Sequence, residues 1–392
     1  MSVKRWTAVL AAAGAVAGSV LASQSAHGST VAWSASWGTA QAQAVSVGPW
    51  QNQTLRMAVR SSLGGTQVRV HLANTFVTGG ASFAHVSVGV QQDGAQTQAV
   101  PVSLTFGGSS SVVLGAGASV VSDPTALAVP ANSRLLVSLY IPSGANITSA
   151  PMHQLPDEEE YNIVGSDAAG LQSPTVSNMF NFTSYVTGVD VGTAAAQTVV
   201  AAGDSITDGT SATVDADTRW PDYLADRAAS AGFAVVNEGI VNDWVTADQP
   251  GNQSLTNRWN RDVLTVPGVR TVIDAAGIND LRGGVSAPTL EAAQNSLIAK
   301  AHTLGIRVLL TTVTPCSGAT LCTSAFETQR LAYNTWVTSG ASTADGWADF
   351  SSAVSSPTTP SALSSIYDSG DHIHPGPAGY AVLGNVVSLS EL

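Results

Sequence analysis

The sequence predicts a three-layer α/β half of flavodoxin-like type built on a parallel sheet, preceded by an all-β half of sandwich or jelly-roll-like form. Three observations carry this. From about residue 194 onward, strand-like runs alternate with helix-like ones, the pattern of βαβ units with right-handed crossovers. Before that, from about Ser29 to Val191, only short alternating runs recur between Gly, Asn, Ser and Pro clusters. At the join, the apolar run Val199-Val200-Ala201-Ala202 stops abruptly at Gly203-Asp204-Ser205. That reads as a buried strand lifting a serine hydroxyl into the crevice where open α/β sheets bind ligands.

Taken in order, residues 1–26 read as a secretory leader. Lys4 and Arg5 precede an Ala/Val/Leu-rich run from Ala8 to Ala22, with cleavage expected after Ala22 or Ala26. The run is too short and too rich in Gly and Ala for a membrane span, and no later stretch is long and apolar enough for one. The expectation is therefore an exported, soluble product. Residues 29–191 form the β half. Its clearest strands are Gln67 to Leu72, Val86 to Val90 and Leu135 to Tyr140, separated by turns such as Leu63-Gly64-Gly65-Thr66. Trp33, Trp37, Trp50 and Tyr140 read first as core residues, and second as a sugar-binding face. The acidic run Asp157-Glu158-Glu159-Glu160 reads as a solvated loop, since its spacing matches no calcium loop.

Residues 194–392 form the α/β half. After Val199 to Ala202, strands are expected at Phe233 to Val236, Val269 to Ala275, Ile306 to Thr312 and Gly346 to Ala348. Helices are expected at Arg219 to Ala231, Pro288 to Leu304, Ser324 to Thr338 and Pro377 to Val387. Parallel strands would bring their C-terminal ends to one crevice.

Composition narrows the partners. The chain has 392 residues, 44% of them hydrophobic, with a formal charge of −12 and only Lys4 and Lys300 as lysines. An acidic, lysine-poor surface argues against a nucleic-acid backbone or an anionic membrane. Cys316 and Cys322, the only cysteines, read as one disulfide closing a small loop, which suits an exported protein better than a zinc site lacking further ligands. Sequons at Asn52 and Asn146 matter only in a eukaryotic secretory host. Oligomeric state is not legible.

Four stretches fall at the expected strand ends: Gly203-Asp204-Ser205, Asn237-Glu238-Gly239-Ile240, Gly277-Ile278-Asn279-Asp280 and Asp371-His372-Ile373-His374-Pro375. Together they supply the parts of acyl transfer. Ser205 needs a base, and His374 can be that base at neutral pH. Asp371 can accept the other ring N–H and fix the tautomer. The oxyanion would be met by the Ser205 N–H, the Gly239 N–H and the Asn279 side-chain amide. Asp204 and Asp280 are better suited to hydrogen-bonding backbone around their turns. Each stretch also has an ordinary reading as a turn or solvated loop.

In this order and spacing, the four stretches resemble the blocks of the GDSL/SGNH hydrolases over about Gln197 to Leu392. The resemblance implies catalytic roles for Ser205, Gly239, Asn279 and His374, with Asp371 as the triad acid, and it favours His374 over His372 as the base. It implies a serine esterase that works without metal or organic cofactor. The second block departs from the family's form. Members often continue it with another glycine and a small polar residue, whereas here it runs Ile240-Val241-Asn242-Asp243-Trp244, placing bulk near the cleft. The β half resembles, more weakly, the accessory domain of exported members, some of them encoded beside xylan-degrading enzymes.

The expected substrate is thus a small ester or an acylated polysaccharide, acetyl groups on plant polysaccharide foremost. A lipase or arylesterase for longer or aromatic acyl groups is the alternative. A third reading is a carbohydrate-binding protein whose α/β half is catalytically dead.

Overall fold

The computed structural model describes residues 31–154, 157–195 and 197–392, so the leader expected at Met1–Ala26 lies outside the described residues. The β half has two main antiparallel sheets. One contains Ala32–Gly38, Val186–Thr193 and Gly65–Ala73, with Ser119–Val121 and Thr125–Val129 along the last. The other contains Asn178–Phe180, Glu160–Val164, Gln53–Ser61, Ser133–Ile141, His85–Asp93 and Gln96–Thr97, with Val102–Ser103 also paired to His85–Asp93. Alternation places Val68, Val70 and Leu72 from the first sheet against the core shared with Leu55, Met57, Val59, Leu135, Val137 and Leu139 from the second.

Gln53–Ser61 is buried along its whole length, and both faces account for it. Leu55, Met57 and Val59 face the inter-sheet core. On the other face Ala58 packs in a second cluster with Leu136, Tyr161 and Ile163. There the guanidinium of Arg56 is satisfied by Ser138 Oγ and by the carbonyls of Ala168 and Leu171.

The α/β half has five parallel strands in the spatial order Ala234–Gly239, Thr198–Gly203, Val269–Ala275, Arg307–Thr311, Gly346–Ala348. In chain order this is 2-1-3-4-5, the flavodoxin-like arrangement. Thr198–Gly203 lies at the point where the winding reverses, so the crevice opens at its C-terminal end. Every residue of that strand is buried, as a central parallel strand requires. Helices Trp220–Ala228 and Pro377–Val386 pack together, as do Ala287–His302 and Ser324–Thr338. Their bounds lie close to those read from periodicity, and those of Ser324–Thr338 coincide. Periodicity did not reveal the helices Ser205–Asp208, Leu255–Trp259, Ile278–Arg282 and Phe350–Val354, each too short to express a 3.6-residue repeat.

The halves pack against each other. Arg60 on Gln53–Ser61 reaches Asp217, Asp222 and Asp226 at 3.4, 3.5 and 2.6 Å. Ser62 Oγ accepts the Val235 N–H at 3.0 Å.

The acidic run is not the solvated loop its composition suggested. Glu158 and Glu160 are buried. Glu160 accepts the Ala58 N–H and the Thr183 hydroxyl, cross-linking neighbouring strands. Burial pushes the Glu158 carboxyl up to about 8 against the opposing pull of Arg219 and Arg134. Of the four aromatics, Trp37 is in the core. Trp33 lies half-buried under the Arg69 guanidinium, Trp50 stacks on Phe182, and the Tyr140 hydroxyl donates to Asn52 Oδ1. No helix among the described residues is long and apolar enough to cross a membrane.

Candidate active site

The strand Thr198–Gly203 ends in a glycine because a Cβ there would stand 2.1 Å from Thr207 Oγ1. Asp204 then caps the helix Ser205–Asp208, its Oδ1 accepting the Ile206 N–H at 3.0 Å. This cap fixes Ser205 at the first helical position. Its N–H makes no hydrogen bond among the described residues, as expected of the first residue of a helix. Gly209, in the left-handed region, closes the helix after one turn.

Ser205 Oγ lies 2.8 Å from His374 Nε2, and His374 Nδ1 lies 2.5 Å from Asp371 Oδ2. The other Asp371 oxygen accepts the N–H groups of Ile373 and His374, both at 2.8 Å. Burial alone would raise the Asp371 carboxyl. The ring N–H of His374 and these two backbone donors outweigh it and hold the carboxyl at about 2. Asp371 therefore stays ionised through neutral pH, ready to accept the ring N–H. His372 is turned elsewhere. Its Nδ1 meets Asp368 Oδ2 at 2.6 Å, and its side chain is half exposed.

On the opposite flank, Asn279 is the second residue of the helix Ile278–Arg282, which follows the strand Val269–Ala275. Its Nδ2 donates to the Asp243 carbonyl at 3.0 Å, and its Oδ1 accepts from Arg282 Nη1 at 3.3 Å. These bonds fix the amide the right way round and leave one N–H of Nδ2 for a ligand. Asp280 points away, accepting from the N–H groups of Val245 and Thr246 at 2.8 and 3.0 Å. Asp204 and Asp280 thus spend their carboxylates on turn backbone.

Gly239 is placed differently from the expectation. Its N–H donates to Asn237 Oδ1 at 3.0 Å, and the residue lies within the strand Ala234–Gly239. It is a glycine for packing, since a Cβ would stand 2.3 Å from the Asp208 nitrogen. The free donor on this segment is three residues further on. Asn242 is exposed, has φ 60°, and its N–H makes no hydrogen bond among the described residues. It directly precedes Asp243, whose carbonyl holds the Asn279 amide. Asparagine tolerates this left-handed conformation better than most side chains, which explains how the block dispenses with a second glycine.

Sequence reading also missed Arg258, which is fully buried beneath the site. It donates to Asp243 Oδ2 at 2.9 and 2.7 Å, to the Glu238 carbonyl at 2.8 Å and to the Gly203 carbonyl at 3.1 Å. One guanidinium thus ties the ends of two strands to the turn carrying Asn242 and Asp243. The only signal in the sequence was an arginine beside apolar positions in Leu255-Thr256-Asn257-Arg258-Trp259. Trp244 is half-buried against Gly283, so closely that a Cβ there would stand 1.8 Å from the ring. Cys316 and Cys322 form a disulfide, and their loop is joined to the Asn279 helix by Arg282 Nη2 donating to the Thr320 carbonyl at 3.0 Å.

Residues 201–382 match the GDSL-like lipase/acylhydrolase family model. Comparison with curated proteins gave no match. Among solved structures, the chain is similar to the aryl esterase of M. smegmatis, with 19% identity over 48% of this chain and 95% of that one, at a TM-score of 0.40. It is similar to a carbohydrate acetylesterase from Sinorhizobium meliloti, with 16% identity over 48% and 94% and a TM-score of 0.39. It is also similar to an acetyl xylan esterase from Geobacillus stearothermophilus, with 20% identity over 49% and 93% and a TM-score of 0.37. With the family match spanning all four blocks, the α/β half belongs to the GDSL-like lipase/acylhydrolase family, and the chain is a carboxylic ester hydrolase.

Proposed function

We propose that this hydrolase is an exported serine esterase that removes short acyl groups, acetyl foremost, from polysaccharide through an acyl-Ser205 intermediate. The observation that carries the mechanism is the unbroken line Ser205 Oγ, His374 and Asp371, at 2.8 and 2.5 Å. His374 Nε2 takes the hydroxyl proton as Oγ attacks the ester carbonyl. The oxyanion is received by the N–H groups of Ser205 and Asn242 and by Asn279 Nδ2. The imidazolium returns its proton to the departing alcohol, and water repeats the sequence on the acyl-enzyme. These steps use only the chain's own side chains, its backbone and water.

The short-acyl preference is supported by Trp244, whose ring fills the space over Gly283 at the end of the Asn279 helix. A polysaccharide substrate is supported by the half-buried aromatic cluster Trp50, Phe180 and Phe182 on the β half. Export is supported by the leader-like Met1–Ala26 and by the disulfide, which suits an oxidising compartment.

The test is a panel of p-nitrophenyl acetate, butyrate and octanoate, acetylated xylan and a feruloyl ester, with Ser205→Ala as control. Acetate should turn over fastest among the synthetic esters, acetylated xylan should release acetate, and Ser205→Ala should be inactive. A preference for octanoate or the feruloyl ester would replace this reading with a lipase or arylesterase.

A further inference from the structure

The β half reaches the catalytic centre through one buried side chain. His153, on the strand Ile147–Gln154, is 4% exposed. Its Nδ1 lies 2.9 Å from the Ala40 carbonyl, and its Nε2 lies 3.2 Å from Asp208 Oδ1. Asp208 is the last residue of the one-turn helix that begins at Ser205. Its other oxygen, Oδ2, accepts the Val241 N–H at 3.0 Å. Oδ1 is buried and makes no well-aligned hydrogen bond, so the imidazole edge is its principal polar neighbour, set off the axis of a straight bond.

The same turn is gripped a second time. Ile240 is buried in a small cluster with Ala40 and Ala42 of the β half, and it is the Ala40 carbonyl that receives the His153 ring. The Asp208 backbone in turn lies against Gly239, and Asn237 Nδ2 donates to the Thr207 carbonyl at 2.7 Å. The path from His153 runs to the Asp208 carboxylate, on to the Val241 N–H, and ends at the adjoining Asn242 N–H.

We propose that His153 is a positioning residue for hydrolysis: it orients the Asp208 carboxylate, which holds the Val241–Asp243 turn where the Asn242 N–H and the Asn279 amide can meet the oxyanion. The β half is then a working part of the hydrolytic centre. This rests on the Ser205 mechanism above. Without the imidazole, the buried Asp208 Oδ1 loses its principal polar neighbour and the carboxylate turns to find another, taking Val241 with it. Small displacements of a catalytic donor are costly in rate and nearly silent in ground-state binding.

The experiment uses the full chain and the variants His153→Leu, His153→Gln, Asp208→Asn and His153→Leu/Asp208→Asn. Thermal melts establish folding. Steady-state kinetics on p-nitrophenyl acetate are paired with inhibition by a boronic acid, whose tetrahedral serine adduct occupies the oxyanion position. For His153→Leu, kcat should fall by about 10- to 100-fold with KM little changed, and boronate affinity should weaken in parallel. His153→Gln, which restores one donor toward Asp208, should lie between that variant and wild type in both readouts. The double variant should lose little more than the worse single one, because both changes cut the same path.

Wild-type kcat and boronate affinity in a folded His153→Leu would overturn the proposal, as would additive losses in the double variant. If His153→Leu does not fold, His153→Gln decides the matter, and wild-type values for it in both readouts also overturn the proposal. Turnover by Ser205→Ala would instead remove the mechanism on which the proposal stands, so the two failures are distinguishable.

Discussion

On one flank of Ser205, the histidine and its acid come from a single partly exposed loop, four residues long from Asp371 to His374. On the other flank, the donors come from the Ile240–Asp243 turn and the Ile278–Arg282 helix, braced from below by the Arg258–Asp243 pair, whose side chains are both fully buried. Carboxyls respond in opposite directions on the two flanks. Asp371 is held down at about 2 by hydrogen bonds that outweigh its partial burial. Asp204 is pushed up to about 7 and Asp243 to about 6, chiefly by burial, with the Ile206 N–H and Arg258 respectively pulling back. The exposed flank therefore holds its acid below the usual range through local donors, and on the buried flank the donors and Arg258 only partly offset the cost of burial.

The largest expected effect breaks the first flank. His374→Ala should lower kcat by on the order of 10⁴–10⁶, and Asp371→Asn by up to about 10⁴, measured on p-nitrophenyl acetate. Breaking the second flank should cost less. Asn279→Ala should lower kcat by about 10²–10³ with a smaller change in KM, because the amide is needed most once the oxyanion forms. If Asn279→Ala raised KM alone, that amide would be a substrate-binding group, and the contrast between the flanks would fail.

Two smaller effects concern stability. Replacing Cys316 and Cys322 together by Ala should cost about 2 kcal/mol in denaturant unfolding, from the loop entropy released in the unfolded chain. The second effect is a pH dependence of stability. Asp204 has a folded value of about 7 against about 4 when unfolded, so the folded state binds its proton more tightly. Its contribution is most favourable below about pH 4, is lost as pH rises toward 7, and is level above that. Glu158, with a folded value of about 8, acts in the same sense. Stability should therefore decline from about pH 5 to pH 8, and Asp204→Asn, which keeps the cap on the Ile206 N–H, should flatten part of that decline in melts across this range.

The first flank was legible because it is contiguous. An aspartate three residues before a histidine, on a loop ahead of a final helix, carries the pairing in its spacing, and the family resemblance favoured His374 over His372 as the base. The parallel sheet was legible for a related reason, since its central strand carries the unbroken apolar run Val199-Val200-Ala201-Ala202 ahead of the turn at Gly203-Asp204. The second flank was not, because its function resides in backbone conformation. Gly239 was the residue whose composition suggested a donor, yet its N–H is taken by Asn237, while Asn242 carries the free N–H at φ 60°. Nothing in residue type distinguishes those two cases. Arg258, His153 and the buried Glu160 were hidden similarly. Each is a polar residue with partners distant in sequence, from 15 residues between Arg258 and Asp243 to 113 between His153 and Ala40, so only the folded chain brings them together.

The Ser205 mechanism is tested by treating the full chain with a fluorophosphonate and locating the covalent adduct by peptide mass spectrometry. One adduct is expected, on Ser205, formed in step with loss of esterase activity and absent from Ser205→Ala. An adduct on another residue that accompanies inactivation, or undiminished hydrolysis by Ser205→Ala, would contradict it.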